Sequence, residues 1–248
     1  MSQSINETIL RENVNPCTSS NQQFTVSPST STKKSIFSRK PQSQKILTTQ
    51  MIQLDESDPD YISIKEGFGI NLNSTRANIL AIMKLQMPTK LEKAHEKYKK
   101  KMTKKLGMDA EEFTHKMHHG TKSSAGCDLR RFIMNFEAGE SGFGNVEYDP
   151  TFCKENCGVC GIAQCGNKRK YARTKSLFKR NRMWFAKDPS VSLGFCNYGY
   201  KDTIKGMFIV DVIHKRDEHI IITTKERATL PRYLIIFEVP VNPFSYED

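Results

Sequence analysis

A chain of 248 residues with a formal net charge of +11 and a pI near 9.3 can bury a real core, and its charge favours anionic partners such as nucleic acid, nucleotides or acidic lipid. No apolar run reaches the roughly 18 residues of a membrane span, and the first residues lack the basic-then-apolar order of a secretory signal. The expectation is a soluble intracellular protein, nuclear or cytoplasmic, with no membrane partner, whose 7 cysteines are thiols or metal ligands more than disulfides.

Ser, Thr, Asn and Gln make up more than half of the first 50 residues, and the apolar residues among them (Ile36, Phe37, Ile46, Leu47) follow no period. Such a segment cannot bury enough surface to offset its ordering entropy. Residues 1–55 are therefore expected to be a disordered tail and residues 56–248 a folded domain. In the tail, Ser27-Pro28 and the basic SIFSRKPQSQK are candidate modification or docking points; a merely solvated tail is the plainer reading.

ANILAIMKLQM alternates in the manner of a strand with one buried face and stops at Pro88. Thr89 stands three residues before Glu92, a capping-box spacing, and Leu91, Ala94, Tyr98 and Met102 recur at helical intervals until Gly107. This predicts a helix of about five turns whose outer face carries Lys97, Lys99, Lys100, Lys101, Lys104 and Lys105. A solvated face is the ordinary reading of such a run, and nucleic-acid contact is the alternative. DAEEFTHKM predicts a second, short helix opening on Asp109, leading to His118-His119-Gly120-Thr121.

FCKENCGVCGIAQCGN sets Cys153, Cys157, Cys160 and Cys165 within thirteen residues, in a cysteine-rich insert spanning 151–168. A Cys-x2-Cys pair lets two sulfurs reach one ion, and a tetrahedral zinc needs four ligands. Cys127, Cys153, Cys157 and Cys160 are the candidate set, with Cys165 as competitor; reduced, partly buried thiols are the other reading. Beyond the insert, RMWFAKD, KGMFIVDVI, HIIITT and YLIIFEVPV read as β-branched and aromatic strands broken by Gly, Lys-rich turns and Pro231. The whole is an α+β domain on antiparallel sheet with flanking helices.

The ordered blocks "HHGT", "RMWFAKDPSVSLGFC", "KGMFIVDVI" and "IITTKERATLPRYLIIF" resemble the catalytic domain of the poly(ADP-ribose) polymerase family over roughly residues 60–240. Their order and spacing carry the resemblance more than any one motif does. The Cys-x2-Cys insert resembles fungal and plant-like members. The resemblance implies an ADP-ribosyltransferase-like fold, NAD as substrate and a protein acceptor. It implies that His119 bonds the NAD ribose, and that Gly120, with Thr121 after it, holds the nicotinamide carboxamide together with the Ser192 hydroxyl. Trp184 and Phe195 stand where the family has two tyrosines, the second stacking on the nicotinamide ring. Ile220 stands where polymer-forming members have a glutamate.

These departures keep aromatic faces and remove a carboxylate. They favour a mono-ADP-ribosyltransferase, with a non-catalytic module binding NAD, ADP-ribose or a partner as the alternative. A third option is a zinc-stabilised nucleic-acid binder using the lysine-rich helix. Without the four-block order, His119 reads as a satisfied core histidine, and Trp184 and Phe195 as ordinary core aromatics. Arg180 and Arg182 read as surface residues more than as pyrophosphate ligands. His118 should point away from His119, because neighbours on a strand face opposite sides.

Overall fold

The computed structural model describes residues 46–72, 75–136, 147–154, 156–172, 181–196 and 203–239, without the side chains of 71–76. Ser27-Pro28, SIFSRKP and Arg180 lie outside the described residues. In chain order the elements are β1 (Gln50–Gln53), α1 (Pro59–Gly67), β2 (Asn71–Leu72), β3 (Thr75–Arg76), β4 (Asn78–Gln86), α2 (Thr89–Leu106), β5 (Thr114–Gly120), α3 (Gly158–Cys165), β6 (Met183–Ala186), α4 (Pro189–Leu193), β7 (Ile204–Ile213), β8 (Ile220–Thr223) and β9 (Thr229–Glu238). Seven strands form one sheet in the order β1-β4-β9-β7-β5-β6-β8, and β2 pairs with β3 separately. Every pairing is antiparallel. The α+β architecture expected from the strand-rich second half is present.

The boundary of the expected tail moves. Residues 46–55 join the domain: Gln50–Gln53 pairs with Gln86–Met83, and Ile46 exchanges hydrogen bonds with Thr89, donating its N–H to Thr89 Oγ1 at 2.9 Å and accepting from the Thr89 N–H at 3.0 Å. The polar composition of the segment before it hid this strand, because a short edge strand depends on ladder bonds more than on apolar side chains. That use of the Thr89 hydroxyl also explains why no capping box forms at α2, whose N-cap is Pro88 without a side-chain bond.

The expected short helix shrinks to one 3-10 turn, Ala110–Phe113, closed by a capping box in which the Asp109 N–H donates to Glu112 Oε1 at 2.8 Å. Thr114 onward is strand β5, paired along its length with β7. Pro231 does not break β9 either. The register slips there, Ile209 facing Tyr233 and Val210 facing Pro231, so Arg232 is the extra residue of a bulge; a bulge tolerates the missing proline N–H. The bulge aims Arg232 Nε at Asp211 Oδ2, 2.6 Å away, and its Nη1 at Glu92 of α2, 3.3 Å away.

The sheet buries both faces. One packs Phe185, Phe208, Val210, Leu234 and Ile236 against α3 and the 3-10 turn Leu129–Phe132. The other packs Ile82, Met207, Ile235 and Phe237 against Tyr61 of α1, Phe68 and Leu193 of α4. Helix α2 covers one end, where Tyr98 joins Phe113, Ile213 and Ala228, and its αL cap at Gly107 (φ 65°) ends it as expected.

The buried position in the middle of α2 is His95, with Ala94 exposed, which displaces one position of the period read from sequence, while Leu91, Tyr98 and Met102 pack inward as expected. His95 Nδ1–H donates to the Arg227 carbonyl at 3.2 Å, and burial pushes its pKa down to about 4. Depression below the unfolded value near 6.5 means this group's contribution to stability is full above pH 6.5 and is lost as the pH falls toward about 4, on the order of 2–3 kcal/mol. Urea unfolding at pH 7.5 and pH 4.5 should therefore show a larger acid loss for the wild type than for His95→Asn, which keeps a donor toward Arg227 and does not titrate. Equal losses would remove His95 from the account.

Candidate functional site

The sheet is nearly split between β5 and β6. One residue pair, His118 with Ala186, joins the two strands, and two histidine side chains bridge the rest. His119 Nδ1–H donates to the Trp184 carbonyl at 2.7 Å and His118 Nδ1–H to the Lys187 carbonyl at 2.8 Å; a carbonyl only accepts, so each Nδ1 carries the proton. Side chains thus replace ladder bonds where the strands diverge. Burial holds both imidazoles below the ordinary histidine range, the carbonyl bonds opposing it in part. A neutral His119 with a protonated Nδ1 keeps Nε2 as a lone-pair acceptor.

The two histidines face opposite sides, as strand alternation requires. His119 lies against Phe185, ring centroids 4.9 Å apart, and His118 against Phe68 at 6.3 Å. Trp184 therefore meets His119 through its main-chain carbonyl, and the ring that orients His119 belongs to Phe185, which sequence reasoning passed over. The signal was available in the alternation of MWFA, which buries Met183 and Phe185 together.

Gly120 ends β5 against α4. A Cβ there would overlap the Ser192 carbonyl oxygen and come within 3.0 Å of Cys196 Sγ, so close approach of strand to helix demands glycine. Ser192 is buried, and its hydroxyl donates to the His118 carbonyl at 3.1 Å. The Phe195 N–H donates to the same Ser192 carbonyl at 3.1 Å while the Phe195 side chain is 56% exposed. Ile220 faces Ala186 on β8 and Ile222 faces Trp184; both isoleucines are exposed. Sequence positions 118–120, 184–186 and 192–195 thus converge, and Ile220 borders them with an aliphatic surface.

Thr121 turns to the cysteine-rich segment. Its Oγ1 abuts Gly158, where a Cβ would overlap it and lie 2.7 Å from the Lys122 carbonyl oxygen, and the Gly158 N–H donates to that carbonyl at 2.9 Å. The side chain of Thr121 therefore packs on the turn that opens α3. This turn belongs to a four-sulfur group: the Sγ atoms of Cys127, Cys153, Cys157 and Cys160 all lie within 4.8 Å of one another.

The Cys127–Cys160 separation is 3.7 Å, close to the roughly 3.8 Å edge of a tetrahedron with ~2.3 Å metal–sulfur bonds. The Cys160 N–H points at Cys157 Sγ, 3.4 Å away. Without an ion, hydrogen bonds from Cys127 and Cys160 pull the Cys157 thiol far down, and the same contacts push Cys127 up. Arg131 brings one Nη2 to 3.4 Å from Cys153, 3.8 Å from Cys160 and 3.9 Å from Cys127, so a cation faces the sulfur group. These four residues can hold a metal ion. Cys165, at the far end of α3, is outside the group. Arg131, four residues after Cys127, carried no signal that local spacing could reveal.

One cavity, of about 330 Å³, lies elsewhere, between β4 and α2. The charges that line it are matched, Lys84 with Asp60 and Arg232 with Glu92 and Asp211, and it contains none of the residues above. No protein-family model matches the chain, and neither does any curated protein.

Proposed function

We propose that the chain is an NAD-dependent ADP-ribosyltransferase that makes single transfers to a protein acceptor and releases nicotinamide, on an ADP-ribosyltransferase-like fold stabilised by zinc at the four cysteines. The observation that carries this reading is the placement of His119, Gly120 and Ser192 about the β5–β6 split, His119 held by the Trp184 carbonyl on the Phe185 face, and Ser192 against the His118 carbonyl and Gly120 on the α4 face. His119, Gly120 and Ser192 are positions that the sequence resemblance names.

The chemistry follows from the atoms available. Cleavage of the bond between nicotinamide and ribose develops oxocarbenium-like charge on the sugar. Holding the leaving group and ribose in one geometry lowers that barrier. The neutral His119 Nε2 accepts from a ribose hydroxyl. The Ser192 oxygen, whose proton is committed to the His118 carbonyl, accepts from a carboxamide N–H beside the Gly120 backbone. The exposed Phe195 ring supplies a stacking face. Ile220 offers no carboxylate, so the acceptor contributes its own nucleophile, and a single transfer is favoured over polymer growth.

At the cysteines, a closed set of four thiolates suits a structural zinc and provides no open coordination position for catalysis. The test is nicotinamide release from NAD by the purified chain, followed chromatographically. The wild type should turn over and His119→Ala should fall on the order of 100-fold. Equal rates for the two proteins would count against the assignment of His119.

A second reading has its own support. Ile220 and Trp184 remove a carboxylate and a phenol, which favours a module that binds NAD or ADP-ribose without turnover. Calorimetry separates the two: heat of binding with no nicotinamide release supports the module.

A further inference from the structure

Helix α2 presents Lys90, Lys93, Lys97, Lys100 and Lys104 at alternating steps of three and four residues, so they form one ridge. All five are exposed. The apolar side of the helix is turned inward, with His95 and Tyr98 buried. Its two acids are engaged elsewhere, Glu92 by Arg232 and Glu96 by Lys99. Among the described residues none of the five ridge lysines holds an ion pair.

The positive surface continues past the helix. Gly166 lies against Leu91 of α2, and the turn that follows, Arg169–Tyr171, is tied to the Glu226–Ala228 turn by Lys168 Nζ at 3.4 Å and the Arg169 N–H at 2.9 Å, both on Glu226. From that second turn, Arg227 and Lys225 lie over the Tyr98 ring of α2 at 5.1 and 5.9 Å. Arg169, Lys170, Lys225 and Arg227 are exposed beside α2. Tyr171, 57% exposed, offers an aromatic face with the Lys170 ammonium 4.8 Å from its centroid.

We propose that this ridge, with its flanking turns, binds the phosphate backbone of nucleic acid. The proposal stands apart from the NAD reading and uses none of its residues. From Lys90 to Lys104 the ridge runs about 21 Å at ~1.5 Å per residue, which matches about six base-pair steps along a duplex axis at ~3.4 Å each. A regular polyanion matches a regular row of cations, and Tyr171 adds a base-stacking surface at its side. An anionic membrane fits less well, because a helix that lies on lipid interleaves its lysines with exposed apolar residues, and those of α2 face the core.

The test is fluorescence anisotropy with the full chain, a labelled 24-base-pair duplex and a labelled 24-nucleotide single strand, between 50 and 200 mM KCl. Binding to either should weaken with salt, with a slope of log K on log salt of about −4 to −5 for the duplex. The triple variant K93Q/K97Q/K100Q should reduce that slope by about 3 and the affinity at 100 mM KCl by about 30-fold or more. The charge-preserving K93R/K97R/K100R should bind like the wild type. Glutamine and arginine are both good helix formers, so circular dichroism should be unchanged in both variants. No binding at 50 mM KCl, or wild-type binding by the glutamine variant, overturns the proposal. So does binding to phosphatidylserine vesicles without binding to either nucleic acid.

Discussion

Cys160→Ser is expected to abolish metal retention, taking the purified chain from about one zinc per molecule to none, and to lower its melting temperature by roughly 10 °C or more. Cys160 is fully buried in the larger core and its sulfur belongs to the four-sulfur group. Serine leaves three thiolates and a hydroxyl that ligates zinc poorly. Structural zinc in small domains contributes on the order of 10 kcal/mol of binding free energy, and where the site forms only on folding that energy is folding energy.

The loss should reach beyond the cysteines. The Cys157–Gly158 turn is fixed to the end of β5 by the Gly158 N–H to Lys122 bond and by the Thr121 packing. Releasing α3 therefore frees the segment that follows His119 and Gly120. Several kcal/mol corresponds to a shift of that size in melting temperature, at about 2–4 °C per kcal/mol for a domain this long. Metal analysis by mass spectrometry and melting with and without a chelator are the measurements. A metal-free wild type whose melting ignores both chelator and substitution would leave four reduced thiols and no zinc.

Gly120→Ala is expected to destabilise the chain by more than about 3 kcal/mol and to remove NAD binding. An added Cβ meets backbone, the Ser192 carbonyl oxygen, so no rotamer change relieves it. Strand β5 or helix α4 must move. Moving α4 breaks the Ser192 hydroxyl bond to the His118 carbonyl, and the Cys196 sulfur, 3.0 Å from the same Cβ, blocks a simple slide. Overlap with backbone in a packed core belongs to the severe class of single substitutions. Urea unfolding gives the stability and calorimetry the NAD affinity. An alanine variant with wild-type values for both would mean that strand and helix part easily, and that Gly120 has no special place in the site.

What was legible in the sequence divides along physical lines. Strands β7 and β9 were readable as continuous β-branched and aromatic runs, which are buried on both faces, and strand β4 and helix α2 by the spacing of their apolar residues. The Cys-x2-Cys pair was readable because two of its ligands sit on one turn. Features made by distant partners were not. Thr89 and Asp109 both stand three before a glutamate, yet only Asp109 forms the box, since Ile46, 43 residues upstream, takes the Thr89 hydroxyl. Strand β1, QMIQ, is too short to carry a period of its own and exists through its pairing with β4. His95 occupies the buried position that Ala94 was expected to fill, because Arg227 offers it a carbonyl from across the chain.

The site shows the same division. Strand alternation correctly turned His118 away from His119. The splitting of the sheet between β5 and β6, Phe185 against His119 and Arg131 beside the sulfurs all depend on register between segments tens of residues apart. Local propensity contains no information on such register. The resemblance implies a contact of Gly120 with the nicotinamide carboxamide, and its packing against Ser192 adds a structural demand for the same residue.

The measurement that bears most directly on the proposed activity follows both products of one reaction: nicotinamide released and ADP-ribose attached, when the purified zinc-loaded chain is given labelled NAD and a cell extract. The account predicts release of nicotinamide with one ADP-ribose added per modified site and no longer chains. No nicotinamide release by a folded, metal-loaded chain, or growth of polymer despite Ile220, would contradict it.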